Sequence, residues 1–281
     1  MVRFKVTVLV DDYAGFTKGL LAEHGFSVAI EPLASDSIIL FDTGQSGIPL
    51  VRNSFSLGLD LKRVSAVVLS HSHYDHSGGL PTLRGLLGRK ASLVAHPDVV
   101  FPLVQYTERG VRHGLGLPYS GKDLKNAFNL RLTGSLYQVE PNVFFLGEVP
   151  RNDPDLVRVI EGTYSLKNGV ASPHMFLEDT AIALDIGDSL FVISGCSHSG
   201  ITNIVAHATR LLGKEVKGVI GGFHLADATQ SEVKKTISKL RELGVEKIYP
   251  GHCTGFLAES EIKRFFKDGC IKLHSGFQEL L

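Results

Sequence analysis

The segment Ser70-His71-Ser72-His73-Tyr74-Asp75-His76 constrains the fold more than any other part of this 281-residue chain. Three histidines and an aspartate fall within six residues, directly after the apolar run 66–69 and just before Gly78-Gly79. Such a run makes a poor surface loop. Neutral imidazole and carboxylate are the ligands that zinc, iron and manganese accept. His71 and His73 lie two apart, so an extended backbone turns both to one side. Asp75 and His76 follow at a turn and reach toward a second ion.

Other strand-like runs end the same way. The run 190–194 leads into Gly195-Cys196-Ser197-His198, 218–220 into Gly221-Gly222-Phe223-His224, and 247–249 into Pro250-Gly251-His252-Cys253. The run 38–41 leads into Asp42-Thr43-Gly44. In layered α/β proteins, sites form where the carboxyl ends of strands meet loops, and small residues let the backbone turn there and approach a ligand closely. If these strands share an edge, their end residues converge. His24, His96, His113, His207 and His274 lack this setting and read as surface or hydrogen-bonded structural residues.

Strands are expected at 6–10, at 26–31 and 37–41 as a hairpin, and at 66–69. A short helix is expected at 17–24, stopped by Gly25, and another at 49–57. Residues 98–170 show weak periodicity and read as long loops, with a helix near 97–105 and a short strand at 143–146. Regularity returns with a hairpin of 181–184 and 190–193 over Gly187-Asp188. Helices follow at 203–212, 231–243 and 259–266, with strands at 218–220 and 247–249. The pattern predicts an α/β chain built as an αββα sandwich, two mixed sheets face to face with helices outside. A single domain over 1–281 is expected, with 98–170 as an insertion covering the substrate.

Hydrophobic residues make up 43% and charged residues 21%, enough apolar content for a sizeable core. Lys plus Arg equals Asp plus Glu at 29 each, so no net field favours nucleic acid or an anionic membrane. Three cysteines give no disulfide framework. The first residues lack the apolar core of a signal peptide, and no apolar run approaches the ~20 residues that span a bilayer. A cytoplasmic protein acting on a small molecule is the expectation; oligomeric state stays open.

His71-x-His73-x-Asp75-His76, with Asp42 before it and His252 after it, resembles the metallo-β-lactamase superfamily over roughly residues 2–270. Asp11-Asp12, Phe41-Asp42-Thr43-Gly44-Gln45, Gly195-Cys196-Ser197-His198, Gly221-Gly222-Phe223-His224-Leu225 and Gly251-His252-Cys253-Thr254-Gly255 are similar to a narrower subgroup. Its namesake is 7,8-dihydropterin-6-methyl-4-(β-D-ribofuranosyl)aminobenzene-5′-phosphate synthase. The resemblance implies two divalent metal ions, zinc first, with iron or manganese as alternatives. His71, His73, Asp75, His76 and His252 are the implied ligands and Asp42 their support; Asp75 and His224 are read as the catalytic groups, with His224 equally readable as a residue that orients a ligand. The usual bridging aspartate matches Asp188 by string. Asp188 precedes its strand, however, at the edge opposite Asp42 and His71, and reads as a hairpin-turn residue. His198 is taken as the ligand at that end. His174, 24 residues earlier, is an alternative third histidine, and Cys196 is either a ligand or a small buried residue.

Three functions are consistent with this. One is a hydrolase that activates water. Another is a transferase joining a dihydropterin methyl diphosphate to an arylamine ribotide with loss of pyrophosphate. The third is a non-catalytic metal-binding protein, which normally needs only four closed ligands. Arg109, Arg112, Lys122 and Lys125 could meet phosphates, and Tyr106, Tyr119 and Phe128 could stack on a pterin; surface charge and core packing are the default for each.

Overall fold

The computed structural model of the chain describes residues 3–87 and 91–281. In chain order the strands are β1 (Phe4–Val10), β2 (Ser27–Pro32), β3 (Ile38–Phe41), β4 (Val64–Val68), β5 (Ser92–Ala95), β6 (Leu103–Thr107), β7 (Gly110–Arg112), β8 (Asn129–Leu132) and β9 (Tyr137–Glu140). They continue with β10 (Val143–Phe145), β11 (Thr163–Lys167), β12 (Val170–Pro173), β13 (Ala181–Asp185), β14 (Leu190–Ser194), β15 (Val216–Gly221), β16 (Lys247–Pro250) and β17 (Gln278–Leu280). The helices are α1 (Ile48–Ser56), α2 (Tyr74–Ser77), α3 (Leu80–Leu83), α4 (Gly121–Ala127), α5 (Ile201–Leu212), α6 (Gln230–Glu242) and α7 (Phe256–Phe266).

One sheet has the order β17-β1-β2-β3-β4-β5-β8 and a second β16-β15-β14-β13-β10-β9. Both are mixed: β3, β4, β5 and β8 run parallel in the first, β14, β15 and β16 in the second. Their inner faces meet in one core, where Val6, Phe26, Ile39 and Phe41 pack with Phe145, Ile182, Ile193 and Tyr249. Ile38 and Leu40 point the other way, into a second core with Leu50, Leu80 and Leu83. A strand covered on both faces must be apolar at every position, which is why 38–41 reads as an unbroken apolar run. Beyond the second sheet, Ile204, Val233 and Ile262 of α5, α6 and α7 cover Ala183, Val192 and Val219. Helix, sheet, sheet and helix thus stack in the αββα order expected. Each large side chain fully buried in these layers contributes about 1.5–3 kcal/mol. No helix among the described residues is long and apolar enough to cross a membrane.

Three expectations are corrected. Residues 17–24 form turns and extended chain, not a helix. Gly19 takes φ 88°, and Asn53 bonds the backbone of Leu21 in both directions, so tertiary partners replace helical ones. The helix near 97–105 shrinks to a 3₁₀ turn at Pro97–Val100, followed by β6. Pro102 forces Phe101 into the extended region (φ −81°, ψ 127°) and stops the helix. Lastly, 98–170 is not mainly loop. It supplies β8 to the first sheet, β9 and β10 to the second, and most of a third, antiparallel sheet ordered β12-β11-β6-β7. In that small sheet β7 and β12 are largely exposed and β6 is buried only at its start, so burial leaves little periodicity there; β11 alone alternates.

Candidate metal centre

Parallel strands β3, β4, β14, β15 and β16 end at one edge of the sandwich and deliver Asp42, His71–His76, Cys196–His198, His224 and His252 there. After β4 the chain stays extended to His73 and then closes into α2, where the Ser77 hydroxyl bonds the carbonyls of Ser72 and His73. This splits the segment: His71 and His73 face one way, Asp75 and His76 another. Space is tight. A Cβ on Gly195 would collide with the Ser70 hydroxyl and reach 2.8 Å from Asp42 Oδ2. Asp42, Phe176, Ser197, His224 and His252 all carry positive φ, between 46° and 60°. Each such residue costs about 1–3 kcal/mol and persists only where its surroundings over-determine it.

Candidate ligand atoms gather in overlapping groups, each within 4.8 Å. His71, His73 and His198 form one group; Asp75, His76, Cys196 and His252 form another; Cys196, His198 and His224 link them. In four histidines Nδ1 is held by an oxygen. Asp42 Oδ2 lies 2.7 Å from His76 Nδ1, and Asp12 Oδ1 lies 2.7 Å from His252 Nδ1. The Arg158 carbonyl is 2.6 Å from His198 Nδ1. Ser70 Oγ donates to Asp42 and is therefore free to accept from His71 Nδ1 at 2.9 Å. Fixing Nδ1–H in this way leaves Nε2 with a lone pair aimed inward. His71 Nε2 and His198 Nε2 are buried without any partner, and His76 Nε2 and His252 Nε2 face each other at 3.1 Å. Two lone pairs at that distance need a proton or a cation between them. The donor set and its orphaned nitrogens therefore fit divalent metal ions.

The groups differ electrostatically. Burial pushes His71 and His198 well below the usual imidazole range, with neighbouring imidazoles adding to it. Both are neutral, as ligands must be. Burial also opposes charge on His76, but Asp75 and Asp42 outweigh it and hold its pKa near 9. Likewise His252 is raised, against burial, by Cys253, Asp12 and Asp75. Asp75, despite burial, is held far down by His76 and His252.

A cleft of about 260 Å³ opens onto this edge, lined on the metal side by His73, Asp75, Cys196, His224, His252 and Cys253. Asp42 stays behind the ligands, fully buried. His174 is not brought into any ligand group among the described residues: its Nε2 lies 3.0 Å from Glu178 Oε1, and the Phe176 ring sits 4.4 Å from it and 4.2 Å from His198. Asp188 is exposed in the β13–β14 turn. Cys196 is both buried and within ligand distance. His224 groups with Cys196 and His198, its Nδ1 buried and unpartnered. Sequence reasoning reads His24 as a structural histidine and assigns no role to Asp12, Cys253 or Asp179. His24 joins Asp12 at 2.8 Å and Asp75 at 3.4 Å. Asp179 accepts the Ser199 N–H, and burial raises its pKa to about 7.

A four-layer sandwich that gathers imidazole, carboxylate and thiol groups at the strand ends of both sheets defines an αββα protein with a candidate metal site. The chain belongs to the metallo-β-lactamase superfamily: the family described as "Metallo-beta-lactamase superfamily" matches residues 22–252. It is 33% identical to a Methanocaldococcus jannaschii protein named 7,8-dihydropterin-6-methyl-4-(beta-D-ribofuranosyl)-aminobenzene-5'-phosphate synthase, over 98% of this chain and 95% of that one. A second protein of that organism, the uncharacterized MJ0448, is 32% identical over 92% of this chain and 94% of its own length. Among solved structures, Tm1679, described as a metal-dependent hydrolase of the β-lactamase superfamily, matches with TM-score 0.85 and 29% identity over 99% of both chains.

Proposed function

We propose that the chain is a metal-dependent hydrolase with two divalent ions, zinc first and iron or manganese as alternatives, acting on a small phosphorylated molecule. The observation that carries this is the set of inward Nε2 atoms on His71, His76, His198 and His252, whose Nδ1 atoms are each engaged from behind by an oxygen; a bound ion would take the place of a proton on those of His76 and His252. In this reading His71, His73 and His198 hold one ion and Asp75, His76 and His252 the other, with Cys196 and His224 beside both. Bound there, such ions lower the pKa of a water toward ~7 and draw charge from a phosphoryl oxygen.

The chain's own residues do the rest. Asp75 lines the cleft and orients the attacking water through its carboxylate. His224, also on the cleft, donates a hydrogen bond or proton to charge developing on the substrate. Asp42 and Asp12 keep His76 and His252 in the tautomer the ions require. Residues 98–170 cover the site, since Gln105, Arg112, Leu115, Ile160 and Thr163 line the same cleft.

A second reading is favoured by one observation, the 33% identity to a synthase over 98% of the chain. In it, the same residues hold a departing pyrophosphate while an arylamine attacks the methyl carbon of a dihydropterin methyl diphosphate. One experiment separates the readings. Protein supplied with zinc, iron or manganese is analysed for metal content and assayed with bis(4-nitrophenyl) phosphate and with dihydropterin diphosphate plus arylamine ribotide. Nitrophenol release supports the hydrolase, and coupled product with pyrophosphate supports the transferase. No retained metal under any supply sinks both.

A further inference from the structure

We propose that the third sheet binds the substrate's oxyanion end through one polar row, Thr163–Gln105–Arg112, with Arg112 as the anion seat. The proposal rests on the reading above, that the cleft is a substrate site, and it names a chemical feature of that substrate. Thr163 lies opposite Gln105 across β11 and β6, and Gln105 opposite Arg112 across β6 and β7. Residues directly opposite on neighbouring strands project to the same face. All three line the cleft that Asp75, His224 and His252 also line. Adjacent strands are about 4.8 Å apart, so the row spans roughly 10 Å.

The row has no internal purpose. Among the described residues, no hydrogen bond or ion pair engages the Thr163 hydroxyl, the Gln105 amide or the Arg112 guanidinium. Some cations of this region are paired, Lys167 with Asp98 at 2.7 Å and Arg158 with Glu232 at 3.0 Å. Arg112 is an exposed cation on a strand at the cleft, with no carboxylate among the described residues to neutralise it. A guanidinium offers a rigid planar fork that matches the two oxygens of a phosphate or a carboxylate. Leu115 and Ile160 in the same lining give apolar contact for the substrate's body. The ligand this describes carries an oxyanion on Arg112, hydrogen-bonding groups along Gln105 and Thr163, and its reacting end at the histidines that line the same cleft.

Isothermal titration of metal-supplied protein with phenyl phosphate, benzoate and phenol tests this. Arg112→Ala is expected to weaken phenyl phosphate or benzoate at least about tenfold, the size of a lost charge-assisted pair. Phenol binding and metal content stay as in the parent, and Arg112→Lys falls between. Whichever of the two anions responds more identifies the oxyanion. Equal affinity in parent and Arg112→Ala overturns the row. So does anion binding that is lost in His71→Ala/His73→Ala yet indifferent to Arg112, because the oxyanion then sits on the metals. Arg112-dependent binding in a chain that retains no metal keeps the row and overturns the metal reading instead.

Discussion

The two ligand groups are built from similar side chains but supported differently. His71, His73 and His198 are an all-imidazole set, steered from behind by neutral oxygens, the Ser70 hydroxyl and the Arg158 carbonyl. Asp75, His76, Cys196 and His252 include an acid and a thiol, and their two imidazoles rest directly on the carboxylates of Asp42 and Asp12. The first group reaches neutrality by burial, the second by balancing charges. A carboxylate behind an imidazole raises its basicity as a ligand, and a carbonyl does so less. The second group is therefore expected to hold its ion more tightly.

The largest effect that could break this comparison is His71→Ala/His73→Ala. Elemental analysis should show metal falling to about one ion per chain while the second group keeps its own. Activity should drop by more than the roughly 100-fold typical of losing a supporting residue. Complete loss of both ions would show that the groups are not independent. Next come the carboxylates. Asp12→Asn should weaken only the second ion, by about 10–100-fold in chelator competition. Asp42→Asn should disturb both, because Asp42 holds His76 directly and His71 through Ser70.

Metal removal should be smaller on the scale of folding. Chelation is expected to cost about 2.7 kcal/mol for each ion otherwise present at 100 times its Kd, read by denaturant unfolding with and without chelator. An unchanged midpoint would mean that the fold does not need the ions. The smallest effect tests the first group's support from a distance. Glu232 closes the capping box of α6 with Thr229 and also holds Arg158, whose carbonyl steers His198. Glu232→Ala, which removes both the reciprocal capping bond and the Arg158 partner, should cost about 1 kcal/mol of stability and leave metal content unchanged. A loss of one ion would show that Arg158 is held chiefly by its side chain.

Legibility in the sequence followed strand direction. Asp42, His71, His198, His224 and His252 each follow an apolar run, and a rule about the carboxyl ends of strands finds them. His24 comes just before a strand and reads as structural. β2 is antiparallel to β3, with Val28 opposite Phe41, so the start of β2 lies at the edge where β3 ends. The direction of that hairpin brings His24 to the edge where Asp75 and His252 stand. The row Thr163–Gln105–Arg112 offered less. Gln105 and Arg112 share one hairpin, but Thr163 joins them from a strand far along the chain, and the exposed β7 leaves Arg112 unmarked by burial.

The sequence by itself determined the layer order and the ligand types, because apolar runs ending in histidine loops fix both what is buried and what stands at the strand ends. Tertiary structure decided which nitrogen of each imidazole faces inward and how the candidate ligands divide into groups. Those outcomes depend chiefly on contacts between groups tens to hundreds of residues apart, such as Asp42 with His76 and Asp12 with His252, which no local pattern encodes. His174, by contrast, takes a partner only four residues away, Glu178.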